Sequence, residues 1–208
     1  NRKIVGRRCP GTHHLMQTCP VVVLVSGSGS NLQALIDTRN AADPAVEIRA
    51  VISNRPDAFG LERAARAGIP GIVVNHRDYP DRESFDAELI RQIDALQPEL
   101  VILAGFMRIL TKGFVEHYAG RLVNIHPSLL PRYPGLNTHA RAIENGDSEA
   151  GATVHFVTPE VDGGPIIIQA RVVIEEKDTA ETLAARVLQQ EHVIYPRAVR
   201  WFADRRLT

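Results

Sequence analysis

The chain has 208 residues, and its 24 Lys and Arg balance its 24 Asp and Glu. That neutrality excludes the bulk attraction expected of a nucleic-acid or membrane-surface binder, and an apolar fraction of 44% is that of an ordinary soluble protein. Apolar runs reach only about five or six residues against the roughly 20 that span a bilayer, while Cys9 and Cys19 are the only cysteines, which rules out a dense disulfide framework and suits a reducing cytoplasm.

The length suits one domain with a sizeable core. Residues 1–20, NRKIVGRRCPGTHHLMQTCP, lack the periodicity of the rest of the chain and carry no apolar segment of a secretory signal. Cys9, His13, His14 and Cys19 match no standard zinc spacing, so no metal is expected there. The expectation is a flexible leader, natural or artificial, at 1–20 and a single domain at 21–208.

From Val21 to Val25 a β-branched run enters the Gly-rich turn SGSGSN, as a buried parallel strand does. A helix is predicted from about Ser30 to Thr38, a strand over Glu47 to Asn54, and an Ala-rich helix over Ala58 to Ala67 with Gly68 as its cap. Ile72 to Val74 reads as a third strand. Phe85, Leu89, Ile93 and Leu96 recur at helical spacing within Asp81 to Leu96. Next come a strand at Leu100 to Gly105, a short helix at Thr111 to His117 and the strand RLVNIH.

Strands alternating with helices in this way predict an α/β fold, a mostly parallel twisted sheet with helices on both faces. The pattern then changes. After a helix near Thr138 to Glu144, the runs Ala152 to Val157 and Ile166 to Ile174 are joined by a link too short for a crossover helix, so they should pair antiparallel. Asp178 and Glu181 resemble a capping box at the start of the last helix, which Pro196 should kink or divide.

The fifth strand is the anomaly. A buried parallel strand should be near-continuously apolar, yet Asn124 and His126 stand two apart and so on one face. Pro127 ends the pairing, and Pro131 and Pro134 stiffen the loop beyond it. Ligands of open α/β sheets bind beyond the carboxyl ends of the strands, which puts chemistry here. Asp162, in the turn VDGGP, is by itself ordinary turn chemistry. Beside a His and an Asn it becomes the acid that orients and charges a base. Asn, His and Asp suit attack of an amine on a carbonyl, with negative charge on oxygen stabilised by the Asn and a protonated His. No Ser or Cys is placed as a nucleophile, which favours direct transfer between two bound substrates. His139 and His155 are further polar neighbours, and no ligand spacing supports a metal.

SGSGSN allows a backbone approach to a phosphate at a helix start. Leu32 stands where a dinucleotide fingerprint wants glycine, which favours one phosphate over a pyrophosphate, and the Gly-Lys-Ser/Thr of a P-loop is missing. A plain tight turn remains the alternative. On the last helix Glu191 falls on an apolar face with Val187, Leu188, Ile194 and Tyr195, where a carboxylate is either ion-paired or a ligand contact.

Four segments in this order, SGSGSN (26–31), AGFMRIL (104–110), NIHPSLLPRYPG (124–135) and VDGGP (161–165), resemble the glycinamide ribonucleotide formyltransferases of purine biosynthesis, within the wider folate-dependent formyltransferases. QQEHVIYP (189–196) adds to the match, which runs from Val21 to Leu207. The resemblance implies a Rossmann-like formyltransferase fold and a catalytic trio of Asn124, His126 and Asp162. It implies that Gly29, Ser30 and Asn31 hold the phosphate of glycinamide ribonucleotide and that Glu191 meets its ribose. Folate contacts fall on Arg82, on Met107, Arg108, Ile109 and Leu110, and on Thr158, Pro159, Glu160 and Val161. The implied cosubstrate is 10-formyltetrahydrofolate, with no metal. Leu188 departs from the family pattern, in which a polar residue often stands near the phosphate. The implied partners are these small molecules, with a homodimer left open and neither nucleic acid nor membrane. Two rivals are a formyltetrahydrofolate deformylase, which resembles this domain with an added N-terminal regulatory domain, and a non-catalytic phosphate-binding module.

Overall fold

The computed structural model describes residues 18–40 and 45–207. Cys9, His13 and His14 lie outside them. Seven strands form one sheet. The first half of the chain lays down β1 (Cys19–Val25), α1 (Ser30–Asn40), β2 (Val46–Ser53), α2 (Phe59–Arg66) and β3 (Gly71–Val73). It continues through α3 (Arg82–Ala95), β4 (Leu100–Leu103), α4 (Lys112–His117) and β5 (Leu122–His126). The remainder supplies α5 (Thr138–Glu144), β6 (Glu149–Phe156), β7 (Ile166–Val173) and α6 (Ala180–Ala203). Strand order is β3-β2-β1-β4-β5-β6-β7, parallel as far as β5 and antiparallel for β6 and β7, as the sequence predicts.

The β1 run is apolar throughout because both its faces are covered. Val21, Val23 and Val25 pack with Leu32 and Ile36 of α1 and with Val187, Ile194 and Tyr195 of α6. Val22 and Leu24 point the other way, into Phe85, Leu89 and Ile93 of α3, Phe114 of α4 and Tyr118 at its C-terminal cap. The buried Tyr195 hydroxyl donates to the carbonyls of Leu103 and Val123, which fastens α6 across β4 and β5. Among the described residues no helix is long and apolar enough to cross a membrane.

Several boundaries differ from the expectation. β1 begins at Cys19, inside the segment assigned to a leader: the Cys19 N–H donates to the Ala45 carbonyl and its side chain is buried. β6 begins three residues early, at Glu149, because β7 is long enough to pair with it from Val173 back to Ile166. The capping box is formed by Thr179 and Thr182, not by Asp178 and Glu181. Asp178 instead accepts from Arg186, Thr182 and the Glu175 N–H. Pro196 does not divide α6, which is one helix of 24 residues. The proline withholds one donor, but it is buried in the face packed on the sheet, and Tyr195, Ala198 and Val199 hold the helix there. Tertiary packing outweighs that local penalty.

Candidate active site

In the observed order β1 lies between β2 and β4, so the chain reverses its winding there. At such a switch point the loops leaving adjacent strands diverge and open a crevice. Here the crevice is a cleft of about 410 Å³ lined by Ser26–Asn31 after β1, Asn54, Arg55 and His76 beyond β2, and Met107 and Arg108 after β4. Ser26 ties its rims together. Its hydroxyl donates to Asn54 Oδ1 at 2.6 Å and accepts the Met107 N–H at 2.7 Å, while its own N–H reaches the Gly105 carbonyl at 3.2 Å.

Gly29 is required by both conformation and space. Its φ is +71°, and a Cβ there would stand 2.8 Å from Gly60 Cα. α1 starts at the next residue, so the first amides, of Ser30 and Asn31, have no partner within the helix, and both residues line the cleft. Arg63 braces the loop from α2 through its Nε–H on the Ser28 carbonyl at 2.7 Å.

Glu191 sits behind this loop. It is 7% exposed, and the one hydrogen bond it receives is from Asn31 Nδ2, at 3.4 Å. No cation pairs with it among the described residues, which sets aside the structural ion pair and leaves a carboxylate facing the start of α1. Burial raises its pKa to about 7, against the lowering effect of the Asn31 bond. The sign follows from linkage: between about pH 4.5 and 7 the folded chain holds a proton that the unfolded chain has lost, so stability falls as pH rises through that window. A Glu191→Gln variant is expected to melt higher than the parent at pH 8, by about 2 to 3 kcal/mol more than any difference at pH 5. Thermal melts at the two pH values test this, and an equal gap at both would refute it.

β5 carries the second half of the site. Val123 and Ile125 pack towards α6, whereas Leu122 faces α4, so Asn124 and His126 share the α4 side. His126 Nε2–H donates to the Tyr133 carbonyl at 2.8 Å, and Nδ1 stands 3.6 Å from Asp162 Oδ1. The ring thus has a hydrogen-bond acceptor at Nε2 and a carboxylate at ion-pair distance from Nδ1. The 3.6 Å separation is an ion-pair distance too long for a hydrogen bond, which leaves Nδ1 available to a third group. Asp162 Oδ2 accepts the Gly135 N–H at 2.9 Å, joining the loops that leave β5 and β6. Asp162 adopts φ of +52°, a conformation that Asp tolerates better than most residues, and one that aims its carboxylate at His126. The Asn124 amide makes no hydrogen bond with another described residue. Asn124 and His126, two apart on β5, thus share a strand end with Asp162 from the loop after β6, in surroundings that leave the His126 and Asp162 side chains only 8% and 13% exposed.

Known proteins resemble this chain along most of its length. Residues 19–199 match the family model described as formyl transferase. The chain belongs to that family. It is 57% identical over 187 residues to phosphoribosylglycinamide formyltransferase of Escherichia coli (strain K12), covering 90% of this chain and 88% of that one. It is 52% identical over 181 residues to the trifunctional purine biosynthetic protein adenosine-3 of Drosophila melanogaster, covering 86% of this chain and 13% of the relative. The solved phosphoribosylglycinamide formyltransferase of Coxiella burnetii superposes with a TM-score of 0.87 at 53% identity, over 90% of this chain and 88% of that one.

The positions that the formyltransferase resemblance gives to folate are more scattered. Met107 and Ile109 are 74% and 67% exposed in the loop after β4, while Leu110 packs on the α3–α4 side of the core. Arg108 lies over the Phe85 ring at 5.5 Å, and Arg82 is exposed one helical turn before that ring at the start of α3. Glu160 and Val161 are exposed beside Asp162. Thr158 and Pro159, by contrast, line a separate groove with Val115 and Phe202. Leu188, on α6, is half-buried.

Sequence reasoning overlooked Ser26, Asn54, Arg55 and His76 in the cleft, and Leu136, which is 75% exposed beside the Gly135–Asp162 bond. Ser53 and Asn54, two buried polar residues ending an apolar strand, carried the same signal as Asn124 and His126.

Proposed function

We propose that the chain transfers the formyl group of 10-formyltetrahydrofolate to the amine of glycinamide ribonucleotide, a step of purine biosynthesis. One observation carries the reading beyond the family. The amides of Gly29–Asn31 end β1, the Asn124–His126–Asp162 set ends β5, and only β4 lies between them. Two strand spacings are about 10 Å, the reach of a phosphoribosyl unit with a short amide arm. A phosphate on the α1 amides would thus deliver its amine to His126, with Glu191 near the ribose hydroxyls.

The free amine attacks the formyl carbon and gives a tetrahedral intermediate. Its oxygen takes an Nδ1–H from His126 and an amide N–H from Asn124, donors aimed where negative charge develops. Asp162 balances the imidazolium. The proton lost by the amine passes to the departing folate nitrogen, through water near Asp162. Exposed Met107, Ile109 and Val161, with Arg82, Arg108, Leu110 and Glu160, supply the apolar and polar contacts for the folate, while Thr158 and Pro159 rest on the resemblance alone because they line the separate groove.

A spectrophotometric assay of folate product, with and without glycinamide ribonucleotide, tests this. Product is expected only when the ribonucleotide is present. Formate release that ignores it would make the chain a hydrolase, and ligand binding without turnover would make it a binding module.

A further inference from the structure

His155 is a buried, titratable group that this chemistry leaves unused. It is 2% exposed and stands directly opposite Asn124 in the β5–β6 pairing. Residues opposed in an antiparallel pair project from the same face, with Cβ atoms about 4.5 to 5.5 Å apart. Its Nδ1 lies 2.9 Å from the Phe156 carbonyl. A carbonyl only accepts, so Nδ1 carries the proton and, in a neutral ring, Nε2 carries a lone pair. That Nε2 is fully buried and meets no hydrogen-bonding group among the described residues. Burial lowers the pKa of the ring, more than the Phe156 carbonyl and Asp162 raise it, and His126 adds to the lowering. The ring is therefore an acceptor at neutral pH. Across the strand pair Asn124 has two amide N–H groups, and it too makes no hydrogen bond with another described residue.

We propose that His155 is a positioning residue for Asn124: once the formyl donor is bound, rotation of the Asn124 side chain lets Nε2 accept one amide N–H and so fixes the other on the oxygen of the reacting formyl group. Without that acceptor the Asn124 amide is free to rotate and present its own oxygen to the developing oxyanion. With it, one end of the amide is committed as donor by the time negative charge develops, when an oxyanion donor has to be in place. The inference rests on the proposed formyl transfer.

The test compares side chains that keep or lose an acceptor at the Nε2 position. Gln places its amide oxygen near there, Asn reaches only the Nδ1 position, and Leu has no acceptor. His155→Leu and His155→Asn are expected to lower kcat at least about tenfold with KM for both substrates within about threefold, while His155→Gln restores most of the rate. In an Asn124→Ala background His155→Leu should cost little more, since the group it orients is gone. Circular dichroism and melting identify any variant that fails to fold, and the Asn–Gln comparison stands if the Leu variant does. Equal rates for His155→Asn and His155→Gln, or losses that multiply in the double variant, would overturn the proposal. An unmutated chain with no formyl transfer would overturn the functional reading itself.

Discussion

Replacing His126 by Ala, or Asp162 by Asn, is expected to cut turnover at least about a hundredfold, the scale of a lost oxyanion donor or a lost general acid–base group. The two substitutions remove different things. His126→Ala deletes the ring that bridges the Tyr133 carbonyl and the Asp162 carboxylate. Asp162→Asn keeps shape and still offers an oxygen to the Gly135 N–H, so it removes charge alone. If both lose rate to a similar degree, His126 and Asp162 act as a unit rather than as two independent groups. Neither side chain belongs to either apolar cluster that packs on the sheet, so melting temperatures should fall by no more than a few degrees. Steady-state kinetics with both substrates, alongside melts, decide the matter. Turnover near that of the unmutated chain in either variant would remove that residue from the mechanism.

The parts of this molecule that are legible in its sequence are those set by local chemistry. VVVLV could only be a strand covered on both sides, and the SGSGSN turn had to end it. Asn124 and His126 stood out because they break an apolar strand, and the change from crossover helices to a short link before Ile166 marked the antiparallel pair. What stayed hidden depends on long-range packing. Pro196 lies inside one helix because its buried face holds it on the sheet. Cys19 joins β1 because the Ala45 carbonyl, at the entrance to β2, is there to pair with it. The role of Ser26 as a tie between three strand ends requires the strand order, in which β4 rather than β3 lies beside β1. The tie from Asp162 to Gly135 crosses 27 positions and obeys no periodicity. Glu191 could be flagged from helical spacing, but only the fold reveals that Asn31, 160 residues away, is its partner.

The two glycines after Asp162 are expected to behave very differently, although side by side in sequence they look equivalent. A Cβ on Gly164 would lie 1.7 Å from the Phe156 carbonyl oxygen and 2.8 Å from the carbonyl carbon, both backbone atoms at the end of β6. Nothing there can rotate away. The Phe156 N–H also donates to the Pro165 carbonyl at 2.9 Å, so the loop closes on β6 at this point, and an added methyl must open it. On Gly163 the three atoms nearest to a Cβ all belong to the side chain of exposed Glu160, which can move. Opening the loop displaces Asp162, two residues earlier, from His126 and Gly135. A displacement on the order of 1 Å at a catalytic group can cost about a hundredfold in rate. Gly164→Ala should therefore lose at least that much turnover and melt several degrees lower, while Gly163→Ala keeps its rate within about threefold. Equal activity in the two variants would mean that the close approach at Phe156 does not hold the catalytic loop. A loss confined to Gly164→Ala would identify that contact as the fixture that delivers Asp162 to the site.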